Sequence, residues 1–338
     1  MALGDGDYPL IAIVGPTAAG KSALALDLAE RMGGEIVNYD SVQLYRGFDV
    51  GSGKLLPAER RGIPHHLLDC LEPSQVFTAG DYRREALRVL ADLRARRKLP
   101  IFVGGTGLYL RSLLLGLFEG PSRSEALRER LRAMAERRGR EFLHRLLRRL
   151  DAVAADRILP RDTQKVIRAV EVCILARQPL STLHARGRAG LEGFRVIKIG
   201  LDPPRAQLYE RINRRVQNMF AAGLREETRA MLVRPDKDSI KALGALGYRQ
   251  ACAALDGKTS QEDAVGQTQA ATRHYAKRQI TWLRRERDIT WFEGFGDDPH
   301  VQRRIMAILS RMPAPEGEST LDSPGVSPVP RFSPQGDP

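Results

Sequence analysis

Eight residues, Gly15-Pro16-Thr17-Ala18-Ala19-Gly20-Lys21-Ser22, constrain the fold of this chain more than any other stretch. They follow the apolar run Leu10-Ile11-Ala12-Ile13-Val14 and open the amphipathic run Ala23-Leu24-Ala25-Leu26-Asp27-Leu28-Ala29. Strand, glycine loop and helix in that order are the context of a phosphate-binding loop. The glycines turn backbone N–H groups toward an anion, the helix N-terminus adds partial positive charge, and Lys21 adds a full one. The Ser22 hydroxyl stands where it reaches a phosphate-bound Mg²⁺. The loop by itself does not say which phosphate it takes.

The rest of the chain reads as alternating strands and helices, which predicts a parallel sheet with helices on its faces. Ile36-Val37-Asn38-Tyr39-Asp40 is a second strand ending in a carboxylate, and His65-His66-Leu67-Leu68-Asp69 is a third. Helical periodicity runs from Thr78 to Arg97, Pro100–Gly105 is a later strand, and Thr106 opens a helix over Leu108–Leu117. Residues 122–194 then show no convincing strand and read as helices: Glu125–Arg137, Arg140–Leu150, Thr163–Arg177 and a short one near Leu180. The sheet resumes at Arg195–Leu201, followed by helices over Arg205–Phe220 and Gln261–Arg285, an edge strand Asp288–Phe292 and a last helix Val301–Arg311. The expected fold is therefore α/β, a P-loop NTPase-like parallel sheet flanked by helices and carrying an all-helical basic insertion. Residues 1–121 and 195–312 form the two parts of the core, and 122–194 the insertion. Residues 313–338, 7 of them proline among 26, are expected to be a disordered tail.

Charge separates the remaining possibilities. The chain carries +13, and 122–194 alone holds 17 Lys and Arg against 9 Asp and Glu, a net of +8. Nine arginines fall between Arg128 and Arg149. Most of these solvate a helix face, but together they favour a polyanionic nucleic-acid partner. No apolar run approaches the ~20 residues that span a bilayer, and Met1–Asp7 is acidic and glycine-rich, unlike a signal peptide. A cytoplasmic protein without membrane contact is expected. Cys70, Cys173 and Cys252 lack disulfide or metal-ligand spacing, which makes them small core residues in a reducing compartment. One compact site suffices for such a chain, so a monomer is expected.

Asp40 ends a parallel strand and should face the same crevice as the glycine loop, although a strand-end Asp also serves as a turn former. Asp81 and Asp151 read as helix-start residues, and Asp69 as a further group near Mg²⁺. In P-loop hydrolases a later strand ends in an acid that holds the metal. Here Ile101-Phe102-Val103 ends in Gly104-Gly105-Thr106 instead. That argues against an ATPase motor and leaves the loop free to hold the phosphates of a leaving group. Thr106 is also a candidate helix N-cap.

These segments together resemble the tRNA dimethylallyltransferases (tRNA isopentenyltransferases) from about Leu10 to Phe292. The resemblance is carried by the glycine loop, Asp40-Ser41-Val42-Gln43-Leu44-Tyr45-Arg46-Gly47, His65–Asp69 and Gly104-Gly105-Thr106-Gly107-Leu108-Tyr109. Further on it is carried by Asp162–Val172, Arg215-Val216-Gln217-Asn218-Met219, Gly247-Tyr248-Arg249-Gln250 and Thr272–Trp282. Tyr39 stands where a small residue is usual, and Ser52-Gly53-Lys54 where Thr-Ala-Lys is commoner.

The resemblance implies transfer of a dimethylallyl group from dimethylallyl diphosphate to N6 of adenosine 37 in the anticodon stem-loop of tRNA. It implies Asp40 as the base, Thr106 beside the reacting amine, and Arg215 with Lys21 on the departing diphosphate. Gly15, Pro16, Thr17, Ala18, Ala19, Gly20 and Ser22 complete the cradle, with Mg²⁺ near Ser22. Ser41 and Gln43 would read the flipped adenine, and Asp40 and Val42 would contact the tRNA beside them. Arg128, Gln164, Lys165, Val166, Ile167, Arg168, Gly247, Tyr248 and Arg249 would contact the tRNA. So would Lys277, Arg278, Gln279, Ile280, Thr281, Trp282, Leu283 and Arg284, although for Trp282 core packing is an equal reading. Three alternatives stay open on sequence: a dimethylallyltransferase for free adenine nucleotides, a small-molecule kinase, and an RNA-binding protein with a relic loop.

Overall fold

The computed structural model describes residues 7–118, 120–185, 187 and 189–311, so the Pro-rich stretch 313–338 lies outside the described residues. The chain runs β1 (Tyr8–Val14), α1 (Lys21–Met32), β2 (Gly34–Asn38), β3 (His65–His66), α2 (Ala79–Ala95), β4 (Leu99–Val103) and α3 (Gly107–Leu115). Five helices follow: α4 (Glu125–Arg138), α5 (Arg140–Leu150), α6 (Ala152–Arg157), α7 (Thr163–Ala176) and α8 (Leu180–Ala185). The chain then returns through β5 (Phe194–Asp202), α9 (Arg205–Ala221), α10 (Leu224–Leu232), α11 (Tyr248–Leu255), α12 (Gln261–Leu283), β6 (Ile289–Glu293) and α13 (Pro299–Leu309).

The six strands form one all-parallel sheet in the order β3-β2-β4-β1-β5-β6. β1 is apolar throughout its second half because both of its faces are covered. Ile11 and Ile13 pack with Leu24 and Leu28 of α1 and Ile305 of α13. Leu10, Ala12 and Val14 pack on the other face with Tyr82 and Leu90 of α2 and Leu113 of α3. All five β1 residues are buried, and each large side chain withdrawn from water contributes ~1.5–3 kcal/mol. β2 leads away from β1, and β4 later returns between them. The carboxyl ends of β1, β2 and β4 therefore open side by side at the point where such sheets bind ligands.

The third strand is shorter than the sequence suggests. Leu67 and Asp69 take left-handed backbone angles, φ 55° and 53°, which end the extended run after His66. Asp81 and Asp151 do hold helix starts: Asp81 and Thr78 cap each other at α2, and Asp151 Oδ1 accepts from the Ala154 N–H at 2.9 Å. Cys173 is buried, but Cys70 is exposed, contrary to the expectation of three core cysteines.

The helices α4–α8 share a hydrophobic cluster of their own, including Leu131, Leu143, Leu147, Val166, Ile167 and Val170. One ion-pair network crosses it. Glu171 is fully buried and accepts from Arg128 Nε (3.0 Å) and Nη2 (2.9 Å), Arg168 Nη1 (2.8 Å) and the Ser124 N–H (2.8 Å). Burial alone would raise the Glu171 pKa, but these donors hold it below the usual value. The network ties α4 to α7 and withdraws Arg128 from the surface, contrary to its expected place among RNA-facing arginines.

Candidate active site

Three strand ends build the site. After β1 the chain enters the glycine loop, with Gly20 at φ 81° as the N-cap of α1. A side chain at Gly20 would be strained there and would meet Asp297 Oδ1 at 2.7 Å. Lys21 folds back over the loop, its Nζ donating to the carbonyls of Gly15 (3.1 Å) and Pro16 (2.8 Å). Burial, helped by the nearby Arg215 charge, brings the Lys21 pKa down to about 8 against the pull of Asp40. Burial also lowers the Arg215 pKa, again opposed by Asp40. Two desolvated cations thus share one chamber with one carboxylate, an arrangement an anion would relieve.

After β2, Asp40 does two things at once. Its Oδ1 accepts from the Val42 N–H at 2.9 Å, the turn-forming role that its position allows. Its Oδ2 faces Gly105, where an added Cβ would come within 2.8 Å of it. The turn is fixed from behind by Asn38, whose side chain accepts from the Asp40 N–H (2.9 Å) and donates to Leu67 O (2.8 Å).

After β4, Gly104 admits no side chain, because a Cβ would lie 2.5 Å from the Tyr39 carbonyl carbon. Thr106 occupies the N-cap position of α3 without bonding the helix through its side chain. Its Oγ1 instead accepts from the Ser41 N–H (2.9 Å) and donates to Ser41 Oγ (3.0 Å), joining the β4 loop to the β2 loop.

Two cavities of about 340 Å³ each meet at these loops. The polar one is lined by Thr17–Ala23, Asp40, Gln43, Ser52, Gly53, Arg211 and Arg215. The more apolar one is lined by Val14, Tyr39, Ser41, Thr106, Leu108, Arg278, Trp282 and Leu283, among others. Gly104, Gly105, Tyr275 and Gln279 belong to both and form the common wall.

Of that wall, sequence reasoning singled out Gly104 and Gly105, gave Gln279 another role and gave Tyr275 none. Gln279, expected as an RNA contact, is buried; its Oε1 accepts from the Thr17 N–H (2.8 Å) and its Nε2 donates to Gly105 O (3.2 Å). Tyr275 Oη donates to the same carbonyl at 2.9 Å. The available signal was their spacing of four, which puts both on one face of a helix already carrying a motif. Arg211 was also missed: it lines the polar cavity while forming a bidentate pair with Asp297 at 2.7 and 2.6 Å.

Other expected site residues are dispersed. Gln164, Lys165, Arg249, Lys277, Arg278, Thr281 and Arg284 are exposed. Val166, Ile167, Tyr248 and Leu283 are buried apolar or aromatic packing, Gly247 is buried, and Ile280 is partly buried. Trp282 packs on the backbone of Gly107, where a Cβ would meet its ring at 2.7 Å. Asp69 turns away from the polar cavity to pair with the buried Lys54 and with Arg60. Among the described residues no three His, Cys, Asp or Glu side chains converge as a metal cage, and no helix is long and apolar enough to cross a membrane.

A family model described as "IPP transferase" matches residues 43–286. A tRNA dimethylallyltransferase from Koribacter versatilis is 53% identical over 303 residues, covering 90% of this chain and 98% of that one. Another, from Solibacter usitatus, is 50% identical over the same length and coverage. Among solved structures, the tRNA isopentenylpyrophosphate transferase of Bacillus halodurans superposes with a TM-score of 0.64 at 36% identity, covering 90% of this chain and 95% of that one. A eukaryotic dimethylallyltransferase acting on tRNA superposes with a TM-score of 0.77 at 25% identity, covering 91% and 81%.

Proposed function

The chain belongs to the IPP transferase family of tRNA dimethylallyltransferases, and on that premise we propose that it joins a dimethylallyl group to N6 of adenosine 37. The observation that carries the site assignment is the position of Asp40 Oδ2 beside Gly105, in the same cavity as Lys21 and Arg215. The polar cavity suits the diphosphate. The adjoining cavity, with Tyr39, Leu108 and Trp282, suits a flat purine and the isoprenoid methyls. An adenosine stacked in the anticodon loop is out of reach, so it must be extruded to enter.

In the reaction N6 of the adenine forms a bond to C1 of the dimethylallyl group while the C1–O bond to diphosphate breaks. The exocyclic amine is a poor nucleophile until its proton moves, and Asp40 Oδ2 accepts that proton. Ser41 and Thr106, bonded to each other at the cavity wall, orient the purine edge. The charge arriving on the diphosphate oxygens is met by Lys21, Arg215 and the backbone N–H groups at the start of α1, those of Gly20, Lys21 and Ser22. The Ser22 hydroxyl, which lines this cavity, is the side chain that would hold a Mg²⁺ bound with the diphosphate. When bound, that ion neutralises leaving-group charge.

Exposed Gln164, Lys165, Arg249, Lys277 and Arg284, with surface arginines of the insertion such as Arg130, Arg145 and Arg149, make the tRNA-facing set. Such a set explains a surface that a mononucleotide substrate does not need. The test is incubation of labelled dimethylallyl diphosphate with an unmodified tRNA transcript carrying adenosine 3′ of the anticodon, and separately with AMP. Label should enter the tRNA alone, and uptake should fall steeply between 50 and 200 mM salt as phosphate contacts are screened. Equal labelling of AMP would establish the free-nucleotide reading instead.

The Lys21 pKa of about 8 gives a second expectation. The free chain loses the Lys21 proton as pH rises past that value, whereas a bound polyanion restores it. Affinity for dimethylallyl diphosphate should therefore hold below pH 8 and fall by up to ~10-fold per pH unit above it, with proton uptake on binding. Calorimetric titrations in two buffers of different ionisation enthalpy measure both.

A further inference from the structure

Glu227 on α10 does not line either cavity, yet it carries one of the densest sets of hydrogen bonds near the site. Its Oε2 accepts from the N–H groups of Asp49 (2.9 Å) and Val50 (2.8 Å), and its Oε1 from the Gly51 N–H (3.1 Å) and the Tyr248 hydroxyl (2.5 Å). Three successive N–H groups facing one anion form a concave backbone nest, here filled by the chain's own carboxylate. Charge-assisted bonds of this kind are about twice as strong as neutral ones.

The loop held this way ends on the reaction machinery. The Ser52 carbonyl accepts from Arg215 Nη2 (3.3 Å) and Gln43 Nε2 (3.1 Å). Gly53, at φ 62°, lies so close to Arg215 that a Cβ there would come within 2.0 Å of Nη2. Gly51 packs flat on Tyr248, whose ring would meet a Cβ at 2.4 Å, and Phe48 lies against the same ring at 4.8 Å between centroids. Lys54 pins the far side through Asp49 Oδ1 (2.6 Å) and Tyr45 O (2.9 Å). Tyr248, resembling a tRNA contact by sequence, is wholly buried and touches the loop through its ring against Gly51 and its hydroxyl on Glu227.

We propose that Glu227, bonded to Tyr248, is a positioning residue that holds the loop Asp49–Gly53 against Arg215 and thereby sets the diphosphate site. This rests on the reading of Arg215 as a diphosphate ligand. It gives the bond from Arg215 Nη2 to the Ser52 carbonyl, 3.3 Å long, a fixed anchor.

The test measures affinity for inorganic pyrophosphate with Mg²⁺ in wild type, Glu227→Gln, Arg215→Ala and the double variant, with tRNA affinity measured separately. Glutamine keeps one acceptor oxygen but turns an NH₂ toward backbone N–H groups, freeing part of the loop. Glu227→Gln should weaken pyrophosphate binding about 10-fold, as expected for loss of one well-placed charged hydrogen bond, and leave tRNA affinity unchanged. In the Arg215→Ala background it should add nothing, since the proposal carries its effect to the anion through Arg215. Wild-type affinity in Glu227→Gln, or an equal loss in both backgrounds, overturns the proposal. If Glu227→Gln does not fold, Tyr248→Phe carries the same comparison, with a smaller loss that must also vanish in the Arg215→Ala background. A wild-type chain that does not bind pyrophosphate, or an Arg215→Ala variant that binds it unchanged, would instead refute the diphosphate reading on which this rests.

Discussion

Replacing Asp40 by asparagine should lower single-turnover transfer to tRNA by ~10²–10⁴-fold while the protein folds normally and still binds both substrates. Asparagine is the informative substitution because Asp40 has two oxygens in different employment. The Oδ1 that accepts from the Val42 N–H survives in the amide, so the turn after β2 keeps its bond. The Oδ2 that faces Gly105 becomes an NH₂ and loses its ability to take the adenine proton. Alanine would remove both, and a lost turn bond worth ~1 kcal/mol would blur the chemistry with loop disorder.

A second readout gives this prediction a sign that misfolding cannot mimic. Asp40 raises the pKa of Lys21 and of Arg215, so its negative charge favours these cations and opposes an incoming anion. Neutralising it removes a repulsion toward diphosphate, and dimethylallyl diphosphate should bind the variant as tightly as wild type or more tightly. Near-wild-type turnover in Asp40→Asn would show that another group takes the proton. Loss of diphosphate affinity together with turnover would show a collapsed site.

Asp40 and Lys21 were legible in the sequence because their placement is local. A glycine loop between an apolar strand and a helix fixes Lys21 within a few residues, and a carboxylate just past the next strand opens into the same crevice. The parallel sheet and its edge strand β6 also followed from alternating elements, although the order of the strands between them did not. What was not legible depends on contacts over long separations. Arginine periodicity along α4 does not reveal that Arg128 turns inward, because its partner Glu171 lies on α7, 43 residues on. The roles of Tyr275 and Gln279 require α12 to lie across the glycine loop, as the Thr17 N–H to Gln279 bond shows at a separation of 262 residues. Val166 and Ile167 sit inside a basic motif, yet helical geometry buries them between its exposed Gln164 and Lys165 and the core of the insertion. A segment that looks like one binding patch in sequence is half surface and half interior in space.

Lys21→Met tests the other half of the mechanism, and its effects should separate by step. Methionine matches the length and apolar stem of lysine but carries no charge, so removal of the cation costs transition-state stabilisation of ~3–4 kcal/mol, a rate loss of ~10²–10³-fold. Charge on the leaving oxygens is greater in the transition state than in the bound substrate, so kcat should fall more than KM for dimethylallyl diphosphate rises. Folding stability should change little. The bonds from Nζ to the carbonyls of Gly15 and Pro16 are lost, but so is the burial of a charge beside Arg215. The same variant should also lose the fall in diphosphate affinity above pH 8, because the group that titrates there is gone. If Lys21→Met keeps that dependence, the titrating group lies elsewhere. If it turns over like wild type, Arg215 and the loop N–H groups carry the departing charge without Lys21.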